Sequence, residues 1–346
     1  DYSLVSGDDA AWNTMQNLAR SGIFNEAQYQ AIQEYLDIDS YINAMITRMW
    51  SGDYDWCGPI FVGNSNRTVF GNKNWYAGRR SRNGDGKFQF FSWDAEMSMG
   101  LHLMSNLGLA GNPTPAQRVT NFDLTQADDS GSPVALYDRL RNYLEFRVRF
   151  ADLLQKHLFH TGVMSTTSNR LRLEAMEREI ENAMIAESAR WGDEGFGDEV
   201  FDRDDEWRSE VNWLKHTFIA ARNNQLITQF RNQGMFPSLN APSFSRRGGT
   251  VAVGSSITLS GLGGNIYYTL DGSDPRLVGG GISPTAQIYN GLISLPGPSV
   301  KVRVRTRVST SNWSALDEFT FIVGNAANFV NLAITEIHYR PANPST

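Results

Sequence analysis

Residues 71–100 read GNKNWYAGRRSRNGDGKFQFFSWDAEMSMG. Two β-prone runs, NKNWYAGRR and KFQFFSW, flank SRNGDG, and Asn-Gly-Asp-Gly between such runs is a strong hairpin signal. The hairpin is expected over roughly 72–94. Its second run carries Phe88, Phe90, Phe91 and Trp93, so it reads as a strand buried on at least one face. Strand side chains alternate faces, so Asp94 and Glu96 share one side if the extended geometry persists. Carboxylates at the end of a buried strand need water, a cation or a hydrogen-bond donor. Two readings follow: a turn whose acid caps the next segment, or a metal site.

On either side of the hairpin the chain is patterned for helix as far as residue 234. GDDAAWNTMQNLARSG offers Asp8 or Asp9 as N-cap and Gly22 as a stop, with Trp12, Met15, Leu18 and Ala19 on one face. NEAQYQAIQEYLD, DIDSYINAMITRMWSG, VALYDRLRNYLEFRVRFADLLQKHLFH and NRLRLEAMEREIENAMIAESARWGD continue the pattern. EWRSEVNWLKHTFIAARNNQLITQFRNQG closes it at Gly234. At Phe236-Pro237 the composition changes. GTVAVGSSITLSG, NIYYTLDGSDP, AQIYNGLISL, VKVRVRTRVS and EFTFIVG are short β runs parted by turn signals, which predicts a small β-sandwich over 237–323 without helix. The run VKVRVRTRVS alternates apolar and basic residues, as a strand with one wet face does. The fold class is therefore α+β and multidomain.

With 346 residues the chain is long enough for two or three domains. A net charge of −6 argues against a generic nucleic-acid binder. No apolar stretch approaches the roughly 20 residues that span a bilayer. The lone Cys57 excludes an intramolecular disulfide and a cysteine-cluster zinc site. The first residues, DYSLVSGDDAAW, lack an initiator methionine and a signal peptide, and the last strand-like run, NLAITEIHYRP, has no partner strand after it. The expectation is an excised piece of a longer polypeptide.

The richest chemical cluster is WSGDYDWCG, then NKNWYAGRR, then FFSWDAE. A hairpin brings Asn74, at the start of one strand, near Asp94 at the end of the other. Asp55 precedes them in a loop. The order Asp, Asn, Asp is the one phosphoryl transfer uses in protein-kinase-like catalytic loops: one Asp takes the proton of the attacking hydroxyl, while the Asn and second Asp hold Mg²⁺ on the phosphates. Acids in loops are common, and an all-structural role is the competing reading.

These residues carry a resemblance. GDYDW, NKNWY and DGKFQFFSWDAEMSMG resemble the spore-coat-protein-H-like (CotH) atypical kinases, with further matches in LDIDSYINAMI, ESARWGD and RNNQLITQFRNQGMFP. The resemblance implies Asp55 as catalytic base, Asp94 and Asn74 as metal contacts, Asp53 and Glu96 as auxiliary residues, and Mg²⁺ with ATP as cofactors. Asp53 stands where that family usually has Asn. The resemblance also implies a nucleotide-contacting lobe before residue 1, so that residues 1–234 are the C-terminal part of a kinase domain. IYYTLDGSDPR resembles the chitobiase/β-hexosaminidase C-terminal-type module, an immunoglobulin-like sandwich, over 237–323, and residues 329–346 look like the start of a lamin-tail domain.

The implied reaction is transfer of the γ-phosphoryl group of ATP to the hydroxyl of a protein substrate, by an exported or cell-surface protein. The alternative is a non-catalytic adhesion protein using the kinase-like fold as a scaffold, with Tyr267, Tyr268 and Trp313 as a sugar platform for cell-surface glycans; core packing competes for those rings. Asp271-Gly272 and Asp274-Pro275 have a full explanation as turn residues. Glu187 and Arg190 read as a surface pair, and Trp191-Gly192 as a helix stop. His157 and His160 read as a helix terminus rather than a metal pair, their charges favoured by the helix dipole.

Overall fold

The computed structural model describes residues 4–53, 56, 74–80, 86–100, 118–119, 134–194 and 200–324. The hairpin turn at 81–85, Asp55 and the expected lamin-tail segment lie outside the described residues. Chain contacts divide the protein into two compact units, Asp1–Ser238 and Leu239–Thr346. The first is rich in helix and the second in strand, so the class is α+β.

The first unit opens with α1 (Ala10–Arg20), which buries Trp12, Met15 and Ala19. Helix α2 (Glu26–Gln33) follows, capped by the Asn25 side chain, and then α3 (Ile38–Ser51), capped by Asp37. In α3 the stripe Tyr41, Ile42, Met45, Ile46 and Met49 is buried, so this helix runs through the core. The hairpin follows: β1 (Trp75–Gly78) pairs antiparallel with β2 (Gln89–Ser92), with Trp75 opposite Ser92. Its inner face packs on the helices, Trp75 stacking on Trp12 at 5.5 Å and Phe90 meeting Tyr41 edge-on at 5.0 Å. Backbone bonds from Phe88 N–H to Tyr35 and from Asp37 N–H to Phe88 stitch the hairpin to the entry of α3.

Two runs expected as single helices are each broken. The first becomes α4 (Val134–Leu140) and α5 (Leu144–Leu158), parted at Arg141–Tyr143. The second becomes α6 (Thr166–Ile180) and α7 (Ala183–Trp191). A helical period read over a long run does not mark where the helix breaks. The last helical run contains two π-type turns, Arg203–Trp207 and Leu214–Phe218, around α8 (Arg208–Trp213), and ends in α9 (Ile219–Asn232). Gly234, at φ 67°, stops it as its sequence position suggests.

In the second unit β4 (Gly249–Val251), β12 (Asp317–Val323), β10 (Ser299–Ser309), β7 (Asn265–Thr269) and β8 (Gln287–Ile288) lie side by side in that order, with β11 (Asn312–Trp313) also on β10. Two short ribbons, β3 (Ser243–Phe244) with β6 (Leu259–Ser260) and β5 (Ser256–Ile257) with β9 (Ile293–Ser294), contribute Phe244, Leu259, Ile257 and Ile293 to one core with Val300, Val302, Val304 and Phe321 of the sheet. One amendment is needed. A single 3-10 turn, Val278–Gly280, stands in the region expected to lack helix.

The alternation in β10 also fails in its second half, where Val308, due to face inward, is 53% exposed. Arg305 is 1% exposed rather than wet, because Asp274 reaches it with both carboxylate oxygens, at 2.7 and 2.6 Å, and its Nη1 donates to the Ser314 carbonyl. Burial pushes the Asp274 carboxyl up, but the Arg305 fork outweighs it and holds the group below its ordinary 3.8. A folded-state value below the unfolded one gives stability that is present above about pH 3.8 and lost as pH falls through the folded value. Asp274→Asn is expected to cost on the order of 2 kcal/mol at neutral pH, the scale of charge-assisted hydrogen bonds, and to flatten this acid limb. Thermal unfolding of the second unit between pH 6 and 2.5 checks both.

Candidate functional site

The site is built at the C-terminal end of α3. Gly52, at φ 62°, leaves the helix in the left-handed conformation. Its N–H bonds to Met49 and that of Asp53 to Arg48, which closes a Schellman cap. The other orphan carbonyls also find donors: Arg222 gives Nη2 to Met49 and Nε to Trp50, each at 2.6 Å, and Met99 N–H reaches Ser51 at 2.6 Å. Arg222 also donates to Val119, and its neighbour Asn223 accepts from the Trp50 indole while donating to Leu158 and Met164. The RNNQ stretch of α9 thus bolts the end of α3 to the end of α5.

Arg48 stands in the last turn of α3 and is 2% exposed. Its guanidinium donates to the carbonyls of Asn74 and Trp93 and pairs with the Asp53 carboxylate. One buried cation therefore ties together the segments carrying Asp53, Asn74 and Asp94. Asn74 and Trp93 are each one residue beyond the last β1–β2 pair, at the open end of the hairpin.

Asn74 and Asp94 both adopt positive φ, 58° and 53°. Only Gly, Asn and Asp tolerate that region readily, which accounts for these residue types at this bend. The strand consequently ends at Ser92, and Asp94 and Glu96 do not continue it with a shared face. Both carboxylates are exposed, and among the described residues no basic side chain pairs with Asp94. Asp53 differs. It has no exposure and pairs with Arg48 inside the protein.

Beyond Asp94 the chain turns at Gly100 (φ 70°), where a Cβ would sit 2.6 Å from the Arg118 carbonyl. Arg118 in turn bonds the Gly100 carbonyl, forks onto Glu210 and lies over the Trp213 ring at 3.6 Å. The outer face of the hairpin carries exposed Tyr76, Phe91 and Trp93, with Tyr76 and Trp93 edge to face at 5.5 Å. An open groove of about 570 Å³ runs along α3 and β2, lined by Asp37, Asp39, Asn43, Thr47 and Gln89 among others. Its lining includes neither Asn74 nor Asp94, Arg149 forks onto Asp39, and His157 bonds Asn43, so its polar groups are already engaged.

The remaining candidates are placed as follows. His157 is half-buried, and desolvation, helped by Lys156 and Arg149, pushes its imidazole below the ordinary value. Its Nε2 lies 3.0 Å from the Asn43 side-chain oxygen. Arg190 lies over the Trp191 ring at 4.8 Å, and no pair with Glu187 forms among the described residues. Gly192 does end the helix. In the second unit Trp313 is buried with its indole donating to Gly280, so it cannot stack on a sugar. Tyr267 packs against Trp313, and Tyr268, pointing to the other face of β7, bonds Gln287.

Among the described residues no group of three His, Cys, Asp or Glu is placed to hold a metal alone. Asp94 presents one exposed carboxylate at the hairpin end, across from the segment that carries Asn74. Sequence reasoning missed Arg48, Arg222 and Arg118. The first two were detectable as charged residues at core positions of a helix, Arg48 three residues after Met45 and Arg222 three after Ile219.

The sequence model of the family described as CotH kinase protein matches residues 2–226. No curated protein and no solved structure matches the chain.

Proposed function

The chain belongs to the CotH kinase protein family, and from that premise we propose that its first unit is part of an atypical protein kinase domain. The reaction is transfer of the γ-phosphoryl group of ATP to a protein hydroxyl. Asp94 and Asn74 would hold Mg²⁺, and Asp55 would accept the proton of the attacking hydroxyl. When bound, Mg²⁺ neutralises charge on the transferring phosphoryl group and orients it. The observation carrying this reading is that Asn74 and Asp94 sit at one open hairpin end, the Asp94 carboxylate exposed, both segments anchored on Arg48. The exposed rings of Tyr76 and Trp93 beside them suit a purine.

The second unit supports the chitobiase-type module reading in having a sheet and two short ribbons around one core, the layering of a β-sandwich. We assign the protein to the cell surface or exterior on that module and on the lamin-tail resemblance of 329–346. Among the described residues no helix is long and apolar enough to cross a membrane.

Calorimetry with Mg-ATP and transfer of labelled γ-phosphate to casein, both on the full-length protein, test the kinase reading. Asp55→Asn is expected to lower transfer by about a thousandfold or more while sparing the heat of nucleotide binding, since a base acts only when the hydroxyl arrives. No heat with Mg-ATP overturns the assignment.

A further inference from the structure

We propose that Arg48 is a positioning residue for phosphoryl transfer, acting through the backbone segments that bear Asn74 and Asp94; this rests on the kinase reading of that site. Asn74 and Asp94 each hold a left-handed backbone, which Asn and Asp can adopt but which is sparsely populated without support from the surroundings. Both lie beyond the last pair of a two-stranded hairpin, where a ladder frays. The Arg48 guanidinium supplies the missing constraint. It bonds the carbonyl of Asn74 itself and that of Trp93, the residue immediately before Asp94. A planar fork of fixed donors can take both carbonyls and a carboxylate together, which the single ammonium of lysine does not reproduce.

The Asp53 carboxylate completes the device. A buried guanidinium beside a divalent-cation site would repel the cation. Asp53, without exposure and ion-paired to Arg48, cancels that charge inside the protein. Asp53 follows the helix-terminating Gly52 directly, and its backbone N–H donates to the Arg48 carbonyl, so the brace and the helix cap are one structure. Asp55, two residues further on in the sequence, is tethered to it by the chain.

The test uses the full-length protein with Arg48→Lys, which keeps the charge, and Arg48→Met. Hydrogen exchange is followed in peptides covering 74–80 and 89–96, and ATP turnover is measured as a function of Mg²⁺. Arg48→Lys is expected to speed exchange at both segments while leaving that of α5 unchanged. It should raise the Mg²⁺ needed for half-maximal turnover about tenfold, with part of kcat recovered at high Mg²⁺, as for residues that orient metal ligands. A general loss of stability would not be confined to the two segments. Unchanged exchange in Arg48→Lys overturns the proposal whatever the activity. Faster exchange in a protein whose wild type binds no Mg-ATP overturns the catalytic role together with the kinase reading, and the brace stands as a structural feature only. Should both single variants fail to fold, Arg48→Gln with Asp53→Asn removes both buried charges, and a wild-type Mg²⁺ requirement in that pair overturns the proposal.

Discussion

Replacing Asp94 by asparagine is expected to lower Mg²⁺-dependent phosphoryl transfer by about a thousandfold, a loss of about 4 kcal/mol of transition-state stabilisation. The fold should be untouched. Asp94 is exposed, and among the described residues no basic partner is lost with its charge, so the substitution falls in the class of surface changes within about 0.5 kcal/mol. Asparagine is the informative replacement because the backbone here stands at φ 53°, which Asn tolerates and alanine does not. Asp94→Ala should lose activity equally and about 1 kcal/mol of stability besides, the scale of forcing a β-carbon into the left-handed region. Initial-rate kinetics at fixed ATP and varied Mg²⁺, with a thermal midpoint for each variant, check the pair. A Glu96→Gln control should do far less, since Glu96 is exposed and is not joined to the Arg48 brace. Equal losses from Asp94→Asn and Glu96→Gln would mean that general negative charge, and not a specific ligand, is being read.

The second large effect is on stability. Arg222→Met should destabilise the first unit by about 3–5 kcal/mol, because each buried carbonyl left without its donor costs about 1–3 kcal/mol. Arg222 is 1% exposed and serves Trp50 and Val119, and also Met49, whose carbonyl keeps the Gly52 N–H. Methionine fills similar volume, so the cost isolates the polar loss from a cavity. Domains hold only about 5–15 kcal/mol in all, so the change should be visible as a lowered denaturant midpoint with an unchanged slope. The second unit, a separate compact unit, is expected to keep its own midpoint and so to serve as an internal reference. A shift below about 1 kcal/mol would show that water or neighbouring donors replace Arg222.

The sequence by itself determined the element types and the site's raw material. Alternation in KFQFFSW and the NGDG turn located a hairpin whose strands pair as β1 and β2, because strand period and turn chemistry are local properties. Helical periodicity located the helices but not their breaks at Arg141–Tyr143 and Glu181–Asn182, because element boundaries are the part of such a pattern that propensity marks least. The order Asp55, Asn74, Asp94 named candidate residues for catalysis. Tertiary structure alone decided the rest. Asp53, indistinguishable in sequence from another site acid, is withdrawn into a pair with Arg48. Trp313, a candidate for a sugar platform, is core, and Arg305, expected in water, is buried under Asp274. Each of these depends on a partner distant in the chain or on how deeply a neighbouring element covers the residue. A charge at a core position announces in the sequence that a partner must exist. Which carbonyls and carboxylates meet it is set only when the elements pack, because hydrogen-bond satisfaction in the interior is a property of the assembled fold.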